Sequence, residues 1–465
     1  MRRLLTLLLL SAMAPATQAW NWHGSLRNKV QVDNRYTHYA KFFDELWGQF
    51  YVDDQESDFH AVMDGVARTT EFDGGNYAKL YQGFVEKGIS SVHTRVKLGR
   101  FERTDNLGFY LVDGGLTTYA PTGAGWAVET YAGRPSRIDH LRSVDGIFVG
   151  GFDGRMHFDP KWGDGADPLT LDSLDIRGGY QHFQNDADSA ASVQQATVDA
   201  LGFDSAALLA AAGFPNALPA PAATRPAGGP EHGTDRLGFG ATAAGRLGAP
   251  EKSGYEFNAL ATYRFDTQRF ENSLVSSQLD LTPKVRLRAS YEYFKPLEPY
   301  LTFREKFYSA YALGQQTLFR GRINHTPMEG LAWYVGGMRA TREGNDGYGA
   351  DLGGSYAFTP DLTALAEFDY LALGPENATS GYASLIATPN STLQVRVNTA
   401  LRYEEKLTYG DNRAVGAEGE LRYMIRSDLV LSAAASYVWY TAIRDEYLGA
   451  VQFIYYFDNF KPKAL

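Results

Sequence analysis

The chain has 465 residues with a formal net charge of -10 at pH 7, and it contains 48 Gly, 29 Tyr, 27 Phe and no Cys. The lack of Cys excludes disulfides, thiolate metal sites, thiol catalysis and covalent CxxCH haem attachment, and the acidic balance argues against nucleic-acid binding. The mean hydropathy of -0.31 excludes a bundle of membrane-spanning helices. A β-barrel is compatible with it, because every second residue of a barrel strand is polar.

The N-terminal residues have the features of a secretion signal. Arg2 and Arg3 precede an apolar run that ends at Leu10, and small residues follow up to Ala19. The run is too short to span a bilayer as a helix, so we expect residues 1–19 to be removed after export.

The segment after the signal alternates apolar and polar side chains, which predicts antiparallel strands. Strands are predicted at 25–32, 43–52, 58–71, 77–87, 92–101, 125–135, 146–158 and 174–183. In 92–101, Val92, Val96 and Leu98 point outward, whereas His93, Arg95 and Lys97 point inward.

The pattern breaks between residues 184 and 235. Residues 189–212 are rich in Ala and lack Pro, which predicts a short helix, and residues 214–230 form a flexible Pro/Ala/Gly stretch. A structureless connection of this length is unusual in a compact fold and is often functional. We therefore interpret 184–235 as an inserted loop.

Strands resume at Leu237 and continue to Phe457, with a longer interruption at 295–308. In LDLTPKVRLRASYEY (residues 279–293), Val285 and Leu287 alternate with Arg286 and Arg288, so the apolar and charged side chains lie on opposite faces. Tight turns are predicted at 282–284, 359–361, 388–390 and 426–428, and longer polar loops at 341–347, 374–379, 404–412 and 441–446.

These patterns predict an all-β fold, a transmembrane antiparallel up-and-down β-barrel of about 22 strands (range about 18–24) with short periplasmic turns and long outer loops. Residues 20–457 form the barrel and residues 458–465 a short C-terminal tail. A closed sheet explains the alternation, since lipid contacts the apolar face and water the polar one. Aromatic residues are expected at both membrane interfaces. Those near strand ends are Tyr437, Trp439, Tyr447, Phe453, Tyr455 and Phe457.

Charged side chains on the predicted inward face are the candidate functional residues. Rings of like charge set ion preference, and opposed acidic and basic walls create a transverse field. Alternatively, the charges pair across strands and only hydrate the wall. The basic residues are Arg95, Lys97, Arg286, Arg288, Arg320, Arg322, Arg396 and Arg402, and the acidic ones are Asp64, Asp351, Glu367, Asp369, Glu418 and Glu420.

Signals for an enzyme or a metal site are weak. The nine His are scattered and no GxSxG motif is present. Asp164, Asp167 and Asp172 do not have the spacing of an EF-hand loop. We therefore predict no catalytic residues, no metal and no cofactor, and outer-membrane lipid as the principal partner.

Two stretches carry a family resemblance. VKLGRF (96–101) and DGGLTTYAPTGAGWAVETYAGRP (113–135) resemble strands of bacterial outer-membrane porin-type barrels, with alginate-export-type barrels the nearest. The resemblance implies location in the outer membrane of a Gram-negative bacterium, and the alginate type implies export of an anionic polysaccharide guided by lumenal Arg and Lys.

The width of the barrel leaves three functions open. About 22 strands enclose a lumen of the class that transporters keep plugged, and the first strand begins too close to Ala19 for the plug domain of a TonB-dependent transporter. The favoured function is a porin-like channel narrowed by 184–235 and by 295–308. The alternatives are a polysaccharide exporter and a barrel similar to the porin subunits of porin–cytochrome conduits, which hold a multihaem cytochrome in the lumen.

Overall fold

The described part of the chain forms 22 β-strands, each paired antiparallel with its neighbours in the sequence. The computed structural model describes residues 21–34, 41–54, 56–70, 76–105, 108–136, 148–160, 169–184, 234–248, 253–265, 268–294, 316–342, 345–374, 376–407, 410–441 and 445–458. The first eleven strands are β1 Asn21–Asp33, β2 Lys41–Asp54, β3 Phe59–Thr70, β4 Tyr77–Ile89, β5 Thr94–Asp105, β6 Gly108–Tyr119, β7 Trp126–Ser136, β8 Phe148–Phe158, β9 Leu169–Gln184, β10 Thr234–Leu247 and β11 Gly254–Arg264. The others are β12 Arg269–Thr282, β13 Val285–Phe294, β14 Gln316–Met328, β15 Leu331–Arg342, β16 Asn345–Thr359, β17 Leu362–Leu373, β18 Glu376–Asn390, β19 Leu393–Leu407, β20 Gly410–Arg426, β21 Leu429–Tyr440 and β22 Glu446–Asp458.

Pairing between the first and last strands closes the sheet into a barrel. β1 pairs with β22 as well as with β2, in a register that runs from His23 opposite Asp458 to Asp33 opposite Leu448. Each strand therefore has two hydrogen-bonded neighbours, and the sheet has no free edge. This confirms the predicted all-β, up-and-down barrel and its 22 strands.

The barrel has two rims with different connections. At the rim where β1 begins, which we call the turn rim, two-residue turns such as Pro283–Lys284 and Ser427–Asp428 join successive strands. At the opposite loop rim, β9 and β13 are followed by the long connections 185–233 and 295–315. The predicted signal at 1–19 lies outside the described residues, as do the 189–212 helix and nearly all of the 184–235 insertion, the 295–308 interruption and the 458–465 tail.

A side-chain acceptor at the last residue of the strand stabilises several turns. The Thr282 hydroxyl accepts hydrogen bonds from the backbone N–H groups of Lys284 (3.2 Å) and Val285 (3.0 Å). Asn390 plays the same part for Thr392, with a distance of 3.0 Å. The predicted turn at 388–390 is therefore wrong by two residues, because Asn390 ends the strand and Ser391–Thr392 forms the turn.

Three of the predicted polar loops are instead continuations of strands. β15 extends to Arg342 and β16 begins at Asn345, and the 374–379 and 404–412 segments also lie mostly within strands. Across the β15–β16 hairpin, Asp346 accepts hydrogen bonds from Thr341 (2.7 Å) and Arg339 (3.0 Å). Hairpins that project beyond the bilayer can carry polar side chains on both faces, so polarity alone does not mark a loop.

The two faces of the wall differ as the alternation predicted. Large apolar side chains on the outward face are exposed, as Phe319 (55 %), Leu352 (54 %) and Leu401 (51 %) illustrate. In β5, Leu98 lies on this face and Arg95 and Lys97 on the other. Val92 and His93 are an exception, because both belong to the 3-10 turn between β4 and β5 rather than to a strand.

Polar pairs interrupt the outward face on the N-terminal strands. The Asn28 amide donates to Asp44 at 2.9 Å. Arg100 binds the Asp113 carboxylate through two guanidinium nitrogens, on the face that also carries Leu98. Bidentate pairing satisfies both charges, which lowers the cost of placing them on a wall that faces lipid.

Adjacent alanines on β21 give a direct test of the two faces. Ala433 lies opposite Leu421 and Val451 on the outward face, whereas Ala434 lies opposite Glu420 and Ala450 on the inward face. Ala433→Arg should lower the free energy of unfolding by about 2–4 kcal/mol, because the guanidinium would enter hydrocarbon. Ala434→Arg should cost less than about 1 kcal/mol, because Glu420 and water can solvate it. Urea titrations of the barrel refolded in lipid vesicles measure both, and equal losses would contradict the assigned faces.

Candidate functional site

The inward faces of β13 and β14 carry a dense group of arginines. Arg288 and Arg322 lie directly opposite each other in register, and Arg320 lies opposite Ser290 one position further along the inward face. Arg288 donates to Gln278 at 3.1 Å, and Arg286 pairs with Asp280 at 2.5 Å. Like charges directly opposite each other repel, so the facing Arg288 and Arg322 need acidic groups nearby to compensate them.

An acidic group lies two to three strands away on the same wall. Asp351, 2 % exposed, forms an ion pair with Arg322 and lies opposite Asp369. The Arg322 guanidinium also lies 3.9 Å from the centre of the Tyr334 ring, and Glu367 lies two residues before Asp369 on the same inward face of β17. The wall therefore changes from basic on β13–β14 to acidic on β16–β17 within a short arc.

Strands β19 and β20 carry four more of the predicted charges, and each has a polar or charged partner. Arg396 lies opposite Glu420 with a charge separation of 3.5 Å. Glu418 accepts a hydrogen bond from Asn398 at 2.8 Å, and Arg402 pairs with Glu404. These contacts fit the hydrating alternative better than a ring of like charge.

Arg95 and Lys97 on β5 are also paired. Arg95 binds Asp58 at 2.9 Å and Glu86 at 3.3 Å, and Lys97 binds Glu86 at 2.8 Å. The structure thus places all the predicted lumenal charges on the inward face of their strands. The predicted charges on β13, β14, β16 and β17 lie together, whereas those on β5 and those on β19–β20 form separate clusters. Their role in permeation stays a prediction.

Two of the inward arginines that were not among the predicted residues face each other. Arg155 on β8 and Arg177 on β9 lie directly opposite each other, and both are exposed. Neither forms an ion pair within the described part of the chain. Alternation in the predicted strands 146–158 and 174–183 would have placed both inward, but only pairing between strands reveals that two like charges meet.

An apolar cluster on the inward face was also missed. It runs across β3 to β8 and consists of Val62, Phe84, Phe101, Val112, Tyr131 and Val149. Val112 and Val149 have no exposed surface. Lys97 lies 4.5 Å from the centre of the Phe84 ring. Side chains buried to this degree are not in contact with lumenal water, so this sector of the lumen is not a simple hydrated wall.

Half-buried aromatic rings line the inward faces of β2 and β4. Trp47 and Tyr81 stack with ring centroids 5.1 Å apart and an interplanar angle of 14°. Nearer the turn rim, His23 stacks on Tyr51 at 4.9 Å, and nearer the loop rim Arg68 lies 5.0 Å from the centre of the Tyr77 ring. We call Tyr77, Trp47, Tyr81 and Tyr51 the aromatic track.

Neither helical membrane spans nor metal centres were found in the described ranges. Within those ranges, no helix is long and apolar enough to cross a membrane. No group of three or more His, Cys, Asp or Glu in the same ranges could hold a metal ion.

Comparison with known proteins gives matches at the level of solved structures only. No model of a known protein family matches the chain, and no curated protein does. The chain is similar to a BenF-like porin from Pseudomonas fluorescens Pf-5, with 12 % identity over 94 % of this chain and 98 % of that chain and a TM-score of 0.38. It is also similar to Pseudomonas aeruginosa OccK2, with 10 % identity over 95 % of this chain and 98 % of that chain and a TM-score of 0.41. Similarity to Pseudomonas aeruginosa OprD has 10 % identity over 96 % of this chain and 96 % of that chain and a TM-score of 0.39.

Proposed function

We propose that the protein is a porin-like channel that lets solutes cross the outer membrane through its lumen, and that it is not an enzyme. The observation that carries the proposal is a closed sheet with an apolar outward face and an inward face lined by ion pairs on β5, β14 and β19. Ionised groups are costly in an apolar interior, whereas a water-filled lumen solvates them.

The lumen of this channel is narrowed by the connections at the loop rim, 184–235 and 295–308. A barrel of 22 strands encloses a bore that natural transporters plug. The inward apolar cluster on β3–β8 supports the narrowing, because exposing it to water would cost about 25 cal/mol per Å². β9, which follows this cluster, leads at the loop rim directly into the insertion.

Export and membrane location form part of the proposal. The signal at 1–19, cleaved near Ala19, directs the chain across the inner membrane of a Gram-negative bacterium. The exposed apolar side chains of the outward face then contact outer-membrane lipid.

Two other functions have a specific observation in their favour. Export of an anionic polysaccharide is favoured by the facing pair Arg155–Arg177, both of which are exposed on the inward face. A porin–cytochrome conduit is favoured by the width of a 22-stranded bore, which a protein partner such as a multihaem cytochrome would fill. Haem absorbance in barrel purified from native membranes would identify the conduit.

Replacing 185–233 by a short turn should raise single-channel conductance in planar bilayers, because the segment that narrows the lumen is removed. As a control, replacing 161–168 at the turn rim in the same way should leave the conductance unchanged. A deletion of 185–233 that keeps the parent conductance would show that the insertion does not obstruct the pore.

Neutralising two lumenal arginines should shift the ion selectivity of the channel toward cations. In the variant Arg288→Gln/Arg320→Gln, the reversal potential in a KCl gradient should shift toward cation selectivity. The shift should be larger near 0.1 M than near 1 M salt, because the Debye length falls from about 10 Å to about 3 Å. Arg339→Gln, on the outward face and 71 % exposed, is the matched control. Equal reversal potentials in all three proteins would contradict a role for these arginines.

A further inference from the structure

We propose that the aromatic track on β2 and β4 binds pyranose oligosaccharides on their way through the lumen. The proposal rests on the channel function and names the solute class that this wall recognises. The track residues are half-buried and face the lumen, whereas Phe84 (9 % exposed) and Phe101 (1 %) on the same wall are buried. Rings that only filled the wall would resemble the buried pair.

A β-bulge turns one of the rings into the lumen. Asp64 pairs with Gln82 and Gly65 pairs with Leu80, so Tyr81 is the extra residue between them. Leu80, 41 % exposed, lies on the outward face. Without the extra residue, Gln82 would be the only side chain at the inward position opposite Asp64. The bulge adds Tyr81 to the inward face, where it stacks on Trp47. Bulges commonly re-aim a side chain toward a functional site.

Carboxylate, amide and guanidinium groups lie beside the aromatic rings. Glu45, 5 % exposed, accepts hydrogen bonds from the Trp47 indole at 3.2 Å and from Arg68 at 2.6 Å. Gln49 donates to Asp64 at 3.1 Å. These bonds fix the orientation of the indole and pair the Glu45 carboxylate with the Arg68 guanidinium.

The chemistry of this surface matches a pyranose ring. One face of a pyranose consists of C–H groups, which pack on the electron-rich face of an aromatic ring. Its edge carries neighbouring hydroxyls, which carboxylate, amide and guanidinium groups bind in pairs. A wall of aromatic rings flanked by such groups therefore favours sugars over hydrocarbons, which need no polar edge.

The shape of the track indicates an oligomer rather than a single sugar. Tyr77 is the first residue of β4 at the loop rim, and Tyr51 lies near the turn-rim end of β2. Trp47 and Tyr51 are four positions apart on one strand, which is roughly 13 Å of strand length. Stacking sites repeated along the strand direction can pass a chain of sugar rings from one site to the next.

The test measures interruption of the ion current by maltohexaose, a neutral pyranose oligomer, through the full-length channel in planar bilayers. Maltohexaose should cause resolved blocks, and polyethylene glycol of the same mass should not. Trp47→Ala and Tyr81→Ala should each shorten the block by about tenfold. Tyr382→Ala, at another inward tyrosine on β18, should leave the duration unchanged. Heat-modifiable gel mobility verifies that each variant folds.

The possible failures are distinguishable. An open channel with normal ion conductance that maltohexaose never blocks would overturn the sugar site and leave the channel function intact. Blocks of equal length in the parent, Trp47→Ala and Tyr81→Ala proteins would place the sugar elsewhere and overturn the role of the track. A protein without any ion conductance would overturn the channel function, and the sugar site with it.

Discussion

The hydrogen-bond ladder between β1 and β22 is the constraint on which the rest of the structure depends. In hydrocarbon each unpaired backbone N–H or C=O costs several kcal/mol, so a sheet with free edges could not remain in a bilayer. The ladder joins residues as distant in sequence as His23 and Asp458 and removes both edges at once. Closure also divides every strand into a lipid-facing and a lumen-facing set of side chains. The chemistry of the lumen then depends on which alternate residues of each strand point inward, which we call the phase of the strand.

That phase explains which features could be predicted from the sequence. Where a strand alternates without interruption, as in β13, Val285 and Leu287 could be placed outward and Arg286 and Arg288 inward from the residues alone. The number of strands followed from the same pattern. The Tyr81 bulge could not be predicted, because an extra residue resets the phase within a strand.

Other features depend on contacts between neighbouring strands and could not be predicted from the sequence of one strand. Inward side chains were expected to be polar, so the inward apolar cluster that contains Phe101 and Val149 was not predicted. Hairpins beyond the bilayer are polar on both faces, so β15 and β16 were predicted too short. Which charges meet is set by the register between strands: it pairs Arg396 with Glu420 but places Arg288 against Arg322.

The inward wall is therefore chemically asymmetric around the barrel axis. From β2 to β8 it carries the aromatic track and the buried apolar cluster, and from β12 to β17 it carries the arginine row followed by the acidic group. Charges in the second arc orient dipoles and hold water, whereas the first arc combines aromatic rings with the ion pairs of β5. A solute with one apolar face and a hydroxyl-rich edge can pack on these rings and bind the polar groups beside them. A small ion interacts only with the charges, and a hydrocarbon only with the rings. The aromatic track within the first arc thus favours solutes of mixed polarity, which is the physical basis for proposing sugars as the solute class.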